Sequence, residues 1–152
     1  MIHTLKKVQF LPISLEEAWD FFSSPENLKD ITPEYMGFKI LSDTPDKMYP
    51  GMIISYNLKP LPGFKINWVT KITQMKEKEY FIDSQLSGPY GIWHHEHRLK
   101  KVDGGVEMID LLYYKLPYGL LGRIVNFLIV RKQVEGIFSY RYDILLKRFG
   151  PA

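Results

Sequence analysis

The sequence contains no cysteine. That absence excludes thiol nucleophiles, cysteine-ligated zinc and dithiol redox motifs, and it fits a reducing compartment. No apolar run is long enough to span a bilayer. The most apolar stretch, 116–130, has 15 residues and carries Arg123 and Asn126, against the ~20 that a spanning helix needs. Met1 to Phe10 contains His3, Lys6 and Lys7 without a long apolar core, so no signal peptide is read there and a soluble, cytoplasmic protein is expected. Charge of one sign is not in large excess: 20 Lys and Arg face 17 Asp and Glu, for a formal charge of +3. Such a balance argues against a nucleic-acid partner. Pro/Ser-rich linkers, internal repeats and low-complexity tracts are also missing, so residues 1–152 read as a single domain. A chain of this length buries roughly 70% of its unfolded surface and needs no disulfide or metal staple. The nucleophile elbow Gly-x-Ser-x-Gly, the P-loop, Gly-x-Gly-x-x-Gly and His-Glu-x-x-His are all absent.

What the chain does have is aromatic side chains: 10 Tyr, 9 Phe and 3 Trp. Rings fill cores and line apolar pockets, with Tyr and Trp supplying a polar tip. Ile2 to Leu11 reads as a strand stopped by Pro12. Ser14-Leu15-Glu16-Glu17 has capping-box spacing, and Leu15, Ala18, Trp19 and Phe22 follow on one helical stripe. Ser24-Pro25-Glu26 repeats the start signal for a second short helix running to about Asp30. From Gly37 the period changes to two, with strands expected around Phe38–Ile40, Ile54–Leu58, Phe64–Thr73, Tyr80–Leu86, Ile92–Val102 and Val106–Leu116. Asp103-Gly104 supplies a tight hairpin between the last two. Residues 117–149 then take helical spacing through Leu120, Ile124, Phe127, Val134, Phe138, Tyr142, Leu145 and Phe149. At 1.5 Å per residue this rod is roughly 45 Å long, and its stripe is expected to lie across the concave face of the sheet.

Strand, two short helices, six strands and one long helix is the order of the helix-grip fold. In this the chain resembles START-type lipid-transfer domains, the birch pollen allergen family and polyketide cyclases, the SRPBCC superfamily. Local phrases are similar to one bacterial ligand-binding branch: Glu16-Glu17-Ala18-Trp19-Asp20-Phe21-Phe22, Ile31-Thr32-Pro33 and Trp68-Val69-Thr70-Lys71-Ile72. Phe81-Ile82-Asp83-Ser84-Gln85, Gly88-Pro89-Tyr90, Trp93-His94-His95-Glu96-His97 and Tyr114-Lys115-Leu116-Pro117-Tyr118-Gly119 continue the likeness. The resemblance implies an α+β fold, with a curved antiparallel sheet of about seven strands wrapped around the C-terminal helix. It also implies an apolar cavity between sheet and helix for a hydrophobic small molecule, without naming the ligand.

Three of the four histidines fall in Trp93-His94-His95-Glu96-His97. On a strand, Trp93, His95, His97 and Leu99 share one face, while His94, Glu96, Arg98 and Lys100 share the other. The charged set belongs in water, so the first set faces inward. Folding the hairpin with Val102 opposite Gly105 places His97 opposite Asp110, His95 opposite Leu112 and Trp93 opposite Tyr114. Across the preceding turn, Asp83 falls opposite His95 or two residues away. The expected cluster of His95, His97, Asp83 and Asp110 has four readings. It is a buried, mutually satisfied network, a set of groups orienting a ligand, a general acid–base pair acting on an enolisable carbonyl, or a two-histidine metal site completed by Asp83 or Asp110.

The leading reading is binding of a hydrophobic or aromatic, lipid- or polyketide-like molecule, with no cofactor and no metal. Polar and aromatic contacts are expected from Trp93, His95, His97, Asp83 and Asp110. The remaining lining is assigned to Tyr56, Trp68, Met108, Tyr114, Ile124 and Phe127, with Arg123 available for an acidic ligand group. The enzymatic alternative is a cyclase, aromatase or dehydratase using His97, Asp110, His95 and Asp83 as its catalytic candidates. A third reading is lipid transfer, with the Leu120-Leu121 region touching membranes transiently and no stable insertion. The oligomer is expected to be a monomer or homodimer.

Overall fold

The computed structural model describes residues 1–151. Strand β1 (His3–Leu11) leads through helix α1 (Leu15–Phe22) and two 3-10 turns, Pro25–Leu28 and Glu34–Met36, into β2 (Lys39–Ile40). Strands β3 (Ile53–Leu61), β4 (Phe64–Lys76), β5 (Tyr80–Ser87), β6 (Ile92–Val102) and β7 (Gly105–Lys115) follow. The chain ends in one continuous rod: α2 (Gly119–Val125), a π turn (Asn126–Val130) and α3 (Arg131–Phe149). The seven strands form one antiparallel sheet in the order β1-β7-β6-β5-β4-β3-β2. Together with the long helix this is the helix-grip α+β architecture.

Local sequence explains most of these elements. Ser14 caps α1, its hydroxyl accepting from the Glu17 amide at 3.1 Å. Of the first-turn carboxylates it is Glu16 that finds a partner, Lys78 at 3.2 Å. The second short helix is a single 3-10 turn, shorter than its start signal suggests. Asn27 and Thr32 divert their side chains to the carbonyls of Phe21 and Leu28 at 2.9 and 2.6 Å, which favours turns over a continued helix. The two-residue turn at Asp103-Gly104 leaves the β6–β7 register no freedom. His97 therefore faces Asp110, His95 faces Leu112 and Trp93 faces Tyr114. The β4–β5 register slips between Ile72 and Gln74. One extra residue on a strand bends it and increases its twist.

Only the second half of the rod grips the sheet. Val134 and Phe138 pack with Leu112 and Tyr114, while Leu145 joins the core formed by Trp19, Phe22, Ile72 and Phe81. The expected stripe through Leu120, Ile124 and Phe127 does not face the sheet, and all three are exposed. The buried line in this half runs instead through Gly122 and Asn126. A Cβ on Gly122 would sit 2.0 Å from the Pro117 carbonyl oxygen, so only glycine lets the helix entry fold back on itself. Asn126 meets His3 of β1 at 3.2 Å through its amide nitrogen. Because the sheet-facing positions are glycine and asparagine, an apolar-periodicity reading selects the wrong side of the helix.

Candidate functional site

The inward face of the sheet carries one polar cluster in an apolar surround. Strand β6 places His95 and His97 side by side, β5 supplies Asp83 and β7 supplies Asp110, through the pairs Asp83–His95 and His97–Asp110. The hydrogen bonds run diagonally across these pairs. His95 Nε2 donates to Asp110 Oδ1 at 2.8 Å, and His97 Nε2 donates to Asp83 Oδ2 at 2.7 Å. The remaining imidazole nitrogens also face carboxylates, His97 Nδ1 lying 3.3 Å from Asp110 Oδ1 and His95 Nδ1 3.6 Å from Asp83 Oδ2. From α3, Arg141 Nη1 donates to Asp110 Oδ1 at 3.0 Å. Phe81 stacks on His97 with centroids 4.2 Å apart, and Phe138 meets the His95 ring edge-on at 5.3 Å.

The charge states follow from this geometry. Burial pushes the Asp110 carboxyl up, but the Arg141 guanidinium and the hydrogen bonds from both histidines overcome it and hold it well below the usual range. Burial likewise works against Asp83, where the His97 hydrogen bond and then the histidine charges and Arg141 prevail and lower it. His95 is depressed to about 4, first by burial and then by the adjacent His97. His97 is raised, because hydrogen bonds to Asp110 and Asp83 outweigh the burial that opposes its charge. Arg141 and the raised His97 offset the two carboxylates, while His95 favours its neutral form. Such pairing is what lets five polar side chains persist in a low-dielectric interior. Arg141 Nε remains a buried donor without a hydrogen-bond partner among the described residues.

Beside this cluster lies an interior cavity of about 110 Å³. Asp83, His95, His97, Arg141 and Thr70 form its polar end. Ile54, Ile72, Phe81, Ile137 and Phe138 form apolar walls, with Tyr56 and Trp93 beside them. Leu28, Thr32 and Met36 line it from the 3-10 turns and the segment between them. The Tyr56 phenol is pushed well above its ordinary value by burial and then by the Asp83 charge, so it stays a neutral hydroxyl. The volume is smaller than the roughly 300–1,000 Å³ of most ligand pockets. It matches a single ring, and Met36 and Met48 in its wall are flexible gap-fillers that can yield to a larger guest.

Of the residues named from the sequence, Tyr56, Asp83, Trp93, His95 and His97 line the cavity. Asp110 lies just behind them, holding His95 and Arg141. Trp68 is not on the wall but buried behind it, against Tyr56, Tyr90 and Trp93. Met108 belongs to the packed core. Tyr114 lies at the far end of β7, against His3 and Tyr90. Arg123, Ile124 and Phe127 are corrected outright: they line an open groove of about 870 Å³ between β1 and the rod, on the outside of the molecule. Sequence reasoning missed Arg141, although a signal existed. It occupies a core position in the series Val134, Phe138, Arg141, Leu145, where a cation must have a buried partner.

One ligand atom from each of Asp83, His95 and His97 lies within 4.8 Å of the other two, a donor set that zinc accepts. A metal there would displace the proton that His97 shares with Asp83. Replacing His97 by alanine is expected to cost about 2–4 kcal/mol in denaturant unfolding, because it strands the Asp83 carboxylate and leaves a void under Phe81. His94→Ala, on the opposite face beside Ser84, is expected to cost less than about 1 kcal/mol. Equal costs would contradict the face assignment.

No protein-family model matches the chain, and no curated protein is similar to it in sequence. Solved structures do match over almost its whole length. An aromatase/cyclase from Streptomyces sp. R1128, Zhui, superposes with a TM-score of 0.74 at 12% identity, covering 97% of this chain and 93% of that one. Protein CV1439 from Chromobacterium violaceum gives 0.74 at 12% identity, covering 98% of each chain. Ara h 8.0201 gives 0.61 at 16% identity, covering 97% of this chain and 98% of its own. The chain therefore has the helix-grip fold that these structures share.

Proposed function

We propose that the protein binds a compact aromatic or otherwise apolar molecule bearing one oxygen acceptor in the cavity between the sheet and α3. The observation that carries this reading is an apolar hollow at whose polar end Arg141 keeps a buried Nε without a partner among the described residues. Leaving such a donor without a partner costs about 1–3 kcal/mol, so a guest oxygen placed there is favoured. The fold is of a type that holds small hydrophobic ligands, which agrees.

The enzymatic alternative finds less support. Every imidazole nitrogen already faces a carboxylate, so proton abstraction would run through Asp83. A carboxyl held below its ordinary pKa is a weak base. The network is better suited to holding a ligand than to moving protons. Lipid transfer would require the cavity to widen well beyond a single ring.

Phenol is a suitable probe, its ring matching the walls and its oxygen the donor. In an NMR titration phenol is expected to shift the His95 and His97 imidazole signals and to bind about tenfold tighter than benzene, the worth of one hydrogen bond to a charged group. Ile137→Trp, which fills the hollow from α3, is expected to abolish both titrations. Phenol binding that survives this substitution, or consumption of the probe during the titration, would overturn the reading.

A further inference from the structure

The first half of the long helix presents an apolar surface that nothing in the fold covers. In α2 and the π turn, Phe127 is 79% exposed and Leu120 69%, and Leu121 and Leu128 are similarly open. A contiguous apolar surface of this kind marks an interaction site. Its charges are all of one sign. From Leu111 to Val134 there is no Asp or Glu, while Lys115, Arg123, Arg131 and Lys132 are present. Arg123 is three residues from Leu120 and four from Phe127, and Lys132 is four beyond Leu128, so cations and apolar side chains share one side of the rod. Lys6 and Lys7 of β1 border the same groove. The first acidic side chain, Glu135, pairs with Arg131 at 3.1 Å and marks the edge of the face.

We infer that this face docks on a bilayer containing anionic lipids, with α2 and the π turn lying flat in the interface. No helix among the described residues is long and apolar enough to cross a membrane. An apolar helix face edged with Lys and Arg instead lies in the headgroup–acyl boundary, and each basic residue gains from the negative surface potential. A second copy of the chain fits less well. A two-fold interface brings the same patch against itself, and here it would set the basic edge against a basic edge. The inference goes beyond the interior cavity and does not depend on it.

Co-sedimentation of the full chain with vesicles tests it. Binding to phosphatidylcholine vesicles containing phosphatidylglycerol is expected to exceed binding to phosphatidylcholine alone by roughly tenfold or more, and to weaken as salt rises. Leu121→Asp combined with Phe127→Asp is expected to reduce binding by roughly tenfold or more. Both positions are exposed, and circular dichroism verifies the fold. Arg123→Glu with Lys132→Glu is expected to remove the preference for phosphatidylglycerol. Three results would overturn the inference: no sedimentation with either vesicle, unchanged binding by both double variants, or a concentration-dependent dimer abolished by the aspartate pair without any vesicle binding.

Discussion

Replacing Asp110 with alanine is expected to destabilise the fold by about 3–5 kcal/mol, the cost of stranding buried charge. Asp110 Oδ1 accepts from His95 Nε2 and Arg141 Nη1 at 2.8 and 3.0 Å, and all three side chains are buried. Without the carboxylate, Arg141 keeps its charge but loses the one hydrogen-bond acceptor it has among the described residues. The same contact ties α3 to β7, so the loss falls on the junction between helix and sheet. Urea unfolding measures the effect directly. Asp110→Asn keeps an acceptor but removes the charge and is expected to lie between wild type and alanine. Asp43→Ala, on an exposed loop, is expected to change stability by less than about 0.5 kcal/mol. A cost below about 1 kcal/mol for Asp110→Ala would mean that the cluster is not the tie it looks to be.

The second large effect is on pH dependence. His95 titrates at about 4 in the folded protein against an ordinary 6.5. Between those values the unfolded chain binds a proton that the folded one refuses, so stability falls as pH falls from 6.5 to 4, by on the order of 3 kcal/mol. His97 has the opposite sign. Its folded value is raised, so its contribution is fully present below 6.5 and is lost as pH rises through the folded value. Asp83 and Asp110, both lowered, contribute stability that disappears only when pH drops through their depressed values. Stability is therefore expected to peak near pH 6.5 and decline on both sides. Urea midpoints measured from pH 4 to 8 report the profile, and His95→Gln, which can still donate to Asp110, is expected to flatten the acid limb. A profile level from 6.5 down to 4 would refute the assignment of His95 as the neutral member of the pair.

The parts of this architecture that could be read in the sequence are those set by short-range constraints. The Asp103-Gly104 turn fixed which residues of β6 and β7 face one another, and strand alternation fixed that His95 and His97 point inward. Those two facts bring Asp110 and both histidines together, whereas Asp83 depends on the preceding turn, whose register is open by two residues in the sequence and is set by the Asp83–His95 pair in the fold. Long-range geometry was not readable in the same way. The inward line of the helix entry is made by Gly122 and Asn126, residues that carry no hydrophobic signal, so Ile124 and Phe127 were assigned to a cavity they do not reach. The register slip in β4 at Thr73 has no sequence marker, since an extra residue keeps the same composition. Arg141 is hard to single out in the sequence because a lone arginine is usually solvated. Its place in the buried series of α3 becomes telling only once Asp110 is known to lie opposite.

The outer groove beside Leu120 and Phe127 is larger than the interior hollow, so where a guest sits decides between them. Intermolecular NOEs between bound phenol and the methyl groups of the protein measure this most directly. Contacts to Ile54 and Ile137, which border the hollow, are the predicted result. Contacts confined to Leu120 and Leu128, or none at any accessible phenol concentration, would contradict an interior binding site.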